Sequence, residues 1–166
     1  NDDVYLSANA VEKMKECMDE KVGAVAHLLR YPNGLTYMAG QKRTATGFTH
    51  VDDHNLTPQI LMPEEVEDLN GAALLVRRKA FEQVGGFDEG YQFYSEDCDL
   101  SMKLRQAGWK LMYTPLATSI HDCHRESHSA NLNLVAMMEK SNARFKEKWQ
   151  HYFKANLGNT GLGRFK

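Results

Sequence analysis

Three carboxylates, Glu96, Asp97 and Asp99, fall within four positions of the stretch YSEDCDLSMKLRQAGWKLMYTP. Such a group can take a proton from a substrate, one acid acting as general base while a neighbour orients it. It can equally be an ordinary helix start, because the helix dipole favours anions in the first turn by about 0.3–1 kcal/mol. Ser95 is placed to cap that helix. Three details favour chemistry. Asp97, Leu100 and Leu104 recur at helical spacing, which sets Asp97 on the apolar stripe, where a carboxylate needs a partner or a task. Cys98 occupies the position where a capping box would carry Glu or Gln. Asp99 can pair with Lys103 one turn on, which leaves Asp97 outside that pair. These details weigh toward a task for Asp97, with the ordinary helix start still open beside it.

Several elements must hold such a group. Residues 94–108 read as the helix itself. GAALLVRR, 71–78, reads as an apolar strand, followed by a short helix, KAFEQVGGF, closed by Gly85-Gly86. Val22 to Tyr31 reads as a buried strand ended by a Pro-Asn-Gly turn. Ser7 is placed to cap a helix in which Val11, Met14 and Met18 recur. Residues 35–63 are poorly periodic and read as loop with short strands. Lys110–Tyr113 reads as a short strand stopped by Thr114-Pro115, and Ala117–Ile120 as another. A long amphipathic helix spans Leu132 to about Phe153, with Leu134, Met137 and Met138 on one side and then Phe145, Trp149 and Phe153. Strands alternating with helices give an α/β fold, a mixed sheet flanked by helices. Residues 1–155 form its domain, and 156–166 read as a flexible, disordered tail.

The 166 residues are one domain's worth of chain, 42% hydrophobic and 25% charged, with a net charge of −2. That balance, with no long basic run, gives no electrostatic case for nucleic acid. No apolar run reaches membrane-spanning length. Cys17, Cys98 and Cys123 are odd in number and scattered, which argues against a disulfide framework and for a reducing, cytoplasmic setting. The chain opens NDDVYLS, like the exit of a strand whose body is missing, so a piece of a longer protein is expected.

From Asn70 to Ser127 the sequence resembles the inverting family 2 glycosyltransferases of GT-A fold. The resemblance is carried by Gly71-Ala72, Arg77-Arg78, Phe81, Gly85-Gly86-Phe87-Asp88-Glu89, Glu96-Asp97-Cys98-Asp99-Leu100, Leu104-Arg105, Ala107-Gly108-Trp109, Pro115 and His121. Asn1 and Asp3 look like the relaxed form of that family's metal-binding D-x-D motif, in which Asp2 can share the work. The resemblance implies a partial GT-A fold lacking its N-terminal nucleotide-binding half. It implies transfer of a sugar, with inversion, from a nucleotide-diphosphate donor to a saccharide or lipid-linked acceptor. Asp97 would be the general base, with Glu96 orienting it or the acceptor. Asp3 and His121, with Asn1, would hold Mn²⁺ or Mg²⁺, and Gly71 and Ala72 would line the donor sugar. Asp99, His124 and Arg125 are grouped with substrate contact, the latter two near the diphosphate.

Other readings compete. The chain could be a non-catalytic assembly module of the same fold, and an unpaired sheet edge would favour a homodimer. HDCHRESHS, with His121, Cys123, His124 and His128, has zinc-type ligands without finger spacing. HVDDHN offers His50, Asp52, Asp53 and His54, read first as a solvated loop. Trp109 and Trp149 read as core anchors rather than sugar platforms, Arg77-Arg78 as a solvated strand end, and His27 as a satisfied core histidine. Lys140, Arg144, Lys146 and Lys148 on the last helix permit peripheral contact with the inner face of a membrane.

Overall fold

The computed structural model describes residues 1–50, 54–123, 132–159 and 161–165. Its centre is β2 (Val22–Arg30), whose run of small and branched apolar residues is buried along nearly its whole length. Such a run suits a strand covered on both faces. It lies parallel to β8 (Lys110–His121). Around this pair the chain builds a mixed sheet in the order β1-β8-β2-β3, where β1 is Val4–Tyr5 and β3 is Thr36–Met38. Strand β6 (Glu64–Val66) also pairs with β8, and β7 (Leu74–Val76) with β2. Strands β4 (Gln41–Arg43) and β5 (Phe48–His50) form a separate hairpin.

Among the described residues four helices flank the sheet: α1 (Ala10–Glu16), α2 (Arg78–Gln83), α3 (Glu96–Gln106) and α4 (Leu132–Ala155). Leu100 and Leu104 of α3 pack on Ala24, Leu111 and Tyr113 of the sheet. On its other side α3 gives Met102 to an aromatic cluster with Tyr91, Phe145, Trp149, Tyr152 and Phe153. Ala10 and Met14 of α1 pack on Val22, Val25 and Ala117, whereas Val11 faces solvent.

Several boundaries differ from expectation. The strands expected on either side of Pro115 are one strand. Pro115 has no N–H to give the ladder, so the register jumps: His27 pairs with Thr114 but Leu28 with Thr118. Gly71–Ala73 is a 3₁₀ turn capped by Asn70, and the strand begins only at Leu74. Helix α1 starts from Asn9 instead of Ser7, whose hydroxyl bonds the Asn9 side chain. The described tail residues are docked, where disorder was expected. Gly163 N donates to Glu67 Oε1 at 2.8 Å, Asn156 exchanges bonds with Arg164, and Phe165 packs against Trp149 and Tyr152. Trp149 is a core residue and Trp109 packs partly buried at the core's edge. His27 is buried, its Nε2 2.7 Å from Ser119 Oγ, and burial lowers its pKa to about 4. Arg77 is not a solvated strand end: it bonds the Val22 and Asp19 carbonyls.

Candidate active site

Asp97 stands in the first turn of α3, half-buried, at a cleft of about 810 Å³. Its Oδ2 accepts from the Gly71 amide and its Oδ1 from the Cys98 amide, each at 2.8 Å. The first bond needs a glycine: a Cβ on Gly71 would come within 3.0 Å of Asp97 Cβ. Ser95 precedes the helix in the left-handed region (φ 66°), as does Tyr94 (φ 64°). Ser95 does not cap α3 through its side chain; its hydroxyl bonds Asn142 Oδ1 of α4 at 2.8 Å. Two non-glycine residues in this conformation carry backbone strain, which the surrounding packing holds.

The other two acids part company with Asp97. Glu96 is partly buried, and burial first and then the Asp97 charge raise its pKa. Its Oε2 is buried without a hydrogen-bond partner. Asp99 does not reach the cleft, which corrects its assignment to substrate. It is fully buried toward α4, where its carboxylate accepts from Trp149 Nε1 at 2.8 Å, Tyr91 OH at 3.2 Å and Lys148 Nζ at 3.0 Å. The expected pair with Lys103 is present only at 3.9 Å. Asp97 lies half-buried on the side of α3 that carries Leu100 and Leu104, whereas Asp99 lies on the opposite side with Met102, toward α4.

Asp3 and His121 meet for a backbone reason. Strand β1 pairs antiparallel with the end of β8, Val4 opposite His121, and Asp122 N donates to Asp3 O at 2.9 Å. His121 Nε2 lies 3.2 Å from Asp3 Oδ1, yet neither atom makes a hydrogen bond and both are buried. Two electron-pair donors facing each other at about 3 Å, both unsatisfied, match adjacent ligands of one divalent ion. Burial lowers the His121 pKa, with Asp3 opposing it, which favours the neutral imidazole that a metal needs. Asn1 is exposed, and its backbone nitrogen donates to Ala72 O at 3.0 Å, tying this segment to the Gly71–Ala73 turn. Ala72 itself is buried beside Leu29, Met38 and Ala73. Among the described residues no group of three His, Cys, Asp or Glu side chains forms a metal site, so zinc has no described cage.

Tyr37, which sequence reasoning missed, joins the two halves. Its ring stands edge-on to His121 with centroids 4.4 Å apart, and it lines the cleft with Asp97. Burial is the main cause pushing its hydroxyl pKa up. Tyr31 stacks on His54 at 4.8 Å and meets Tyr37 edge-on at 5.3 Å. Asp68, also missed, is completely buried. It closes the acidic stretch Glu64-Glu65-Val66-Glu67-Asp68, a composition that reads as solvated, and nothing in the sequence placed it under Asp97. His124, Arg125 and His128 lie outside the described residues, as do Asp52 and Asp53.

The cleft therefore offers a fixed carboxylate and an aromatic wall; Asp3 and His121 do not line it and sit against Tyr37 as a carboxylate–imidazole pair suited to a hard cation. The fold is similar to that of GalNAc-T7 crystallised with UDP, GalNAc and Mn²⁺, with TM-score 0.66 at 18% identity over 92% of this chain and 31% of that one. On that likeness the chain carries part of the GT-A fold. It is 34% identical over 137 residues, 73% of this chain and 45% of the relative, to an N-acetylglucosaminyl-diphospho-decaprenol L-rhamnosyltransferase of Mycobacterium tuberculosis. It is 44% identical over 59 residues, 36% of this chain and 22% of the relative, to rhamnosyltransferase WbbL of Escherichia coli K12. The chain spans less than half the length of these curated relatives. The sequence model described as glycosyl transferase family group 2 matches residues 1–152, and the chain belongs to that family.

Proposed function

We propose that this chain is the acceptor-side portion of an inverting glycosyltransferase that moves a sugar from a nucleotide-diphosphate donor to an acceptor hydroxyl. The observation that carries the reading is Asp97, whose two oxygens are each held by a backbone amide at the cleft. A base so fixed keeps its unused lone pairs aimed at the cleft without reorganisation. Asp97 takes the acceptor hydroxyl proton as that oxygen attacks the anomeric carbon. The new C–O bond forms as the bond to the diphosphate breaks, and single displacement inverts the centre. Glu96, beside it, helps orient the acceptor. Asp3 and His121 fit Mn²⁺ or Mg²⁺, with Asn1 completing the segment, and the ion when bound would neutralise the leaving diphosphate. Gly71 and Ala72 would lie beside the donor sugar, His124 and Arg125 near its diphosphate.

The relatives' names support a saccharide on a lipid diphosphate as the acceptor class and a deoxyhexose as the sugar. No described helix is long and apolar enough to cross one. The test uses the full-length protein with labelled nucleotide-sugars and a polyprenyl-diphosphate sugar. Asp97→Asn should cut transfer by at least about 10³-fold with donor affinity retained. His121→Ala should instead raise the Mn²⁺ concentration needed for half-maximal rate. Retained turnover in Asp97→Asn would end the base assignment, and an unchanged metal titration would remove His121 from the site.

A further inference from the structure

Behind Asp97 lies a carboxylic acid that the transfer scheme does not use. Asp68 follows β6, one turn of chain before Gly71, and is completely shielded from solvent. Its Oδ2 accepts from the Cys98 thiol at 3.2 Å, and its Oδ1 is buried with no hydrogen-bond partner. Cys98 is the residue whose amide holds Asp97 Oδ1. The next residue, Leu69, donates its amide to Ser101 Oγ of α3 at 3.1 Å. The segment 68–71 is thus stitched to the first two turns of α3 three times, at Cys98, Ser101 and Asp97.

We propose that Asp68 is a positioning residue for the transfer: as a neutral acid beneath the first turn of α3, it locks Cys98 and so the Asp97 carboxylate in place without setting a second negative charge behind the base. The proposal rests on Asp97 being that base. An ionised carboxylate with one oxygen unsatisfied, and with no cation paired to it among the described residues, is costly in a dry interior, so the acid keeps its proton. The titratable groups facing it are Asp97 and Cys98 of α3. Glu67, its neighbour in sequence, is matched instead by Arg43 of β4, Arg105 of α3 and the Tyr152 hydroxyl of α4. Burial first, and the Asp97 charge second, push Asp68 well above the ordinary carboxylate range. Burial likewise pushes up the Cys98 thiol, which keeps it a donor.

Two readouts on the full-length protein test this. In the first, stability is followed against pH. Native Asp68 binds a proton that the unfolded chain releases, so its ionisation in the unfolded state lowers stability as pH rises. Asp68→Asn removes that penalty. Its Tm relative to wild type should climb steadily from about pH 5 to about pH 8. Parallel curves would overturn the neutral acid. In the second, Asp68→Ala should lower kcat at least about tenfold with little change in donor KM, and Asp68→Asn should restore most of it. An Asn variant as slow as Ala, or an Ala variant as fast as wild type, would overturn the positioning role. A wild-type protein with no transferase activity would refute the function itself, and the stability curves would still decide the state of Asp68.

Discussion

At the scale of single residues, the base is defined by what holds it. Asp97 depends on two backbone amides, and one belongs to a glycine whose added methyl would press on the Asp97 side chain. Gly71→Ala should therefore act on catalysis more than on stability. The added methyl meets Asp97 Cβ at 3.0 Å, tighter than ordinary contact, so the carboxylate or the 3₁₀ turn must shift by a few tenths of an ångström. Misplacing a base on that scale costs roughly tenfold or more in kcat. The expected outcome is a slow enzyme that melts within about 3 °C of wild type. A Gly71→Ala protein that turns over normally would show that the Gly71 bond does not set the geometry of the base. Gly71 was expected to serve the donor sugar by being small; its smallness first serves Asp97.

At the scale of elements, α3 does two jobs from opposite faces. One face presents Asp97 to the cleft. The other clamps α4 through Asp99, which takes Trp149, Tyr91 and Lys148 on one buried carboxylate, with Asp88 joining through Lys148 and Arg144. Arg144 and Lys148, which sequence alone offered to a membrane, pair at the surface with Asp88, and Lys148 also reaches Asp99. Sequence could foresee the three acids and the helix but not which acid faces which way. The periodicity that put Asp97 with Leu100 and Leu104 describes one side of the helix, while Asp99 and Met102 on the other side face a second core at α4. Asp99→Ala should leave Lys148 and the Trp149 indole without their partner and cost about 3–5 kcal/mol. Asp99→Asn, which keeps an acceptor for Trp149, should cost less. Urea midpoints rank the two; equal and small losses would mean the α3–α4 clamp is apolar packing alone.

At the scale of the whole molecule, the architecture was more legible than its closure. The apolar run of β2 and the motif-bearing stretch from Gly71 to Trp109 announced an α/β sheet with helices. Long-range closure was not written in any local pattern. The pairing of β1 with the end of β8, which brings Asp3 to His121, involves two residues of strand. The docking of the last residues depends on a polar centre assembled from five separate places. There Glu67 receives Arg43, Arg105, the Tyr152 hydroxyl and the Gly163 amide, and Phe165 covers them beside Tyr152. A tail rich in Gly and Asn reads as disordered because its order comes from partners that local sequence cannot name. Gly163 is the point where this closure can be broken cleanly. Its backbone lies so close to the Tyr152 hydroxyl and the Arg43 guanidinium that a Cβ would overlap both. Gly163→Ala should therefore lift the tail from Glu67 and leave that buried carboxylate with one partner fewer. We expect a loss of about 1–3 kcal/mol by urea denaturation, together with faster amide exchange in residues 156–165. Gly161→Ala, whose Cβ would meet only the Asn159 side chain at 3.6 Å, is the matched control and should leave both readouts close to wild type. If the two substitutions behave alike, the tail is not fastened at Glu67, and the polar centre must hold α3, α4 and β4 together without it.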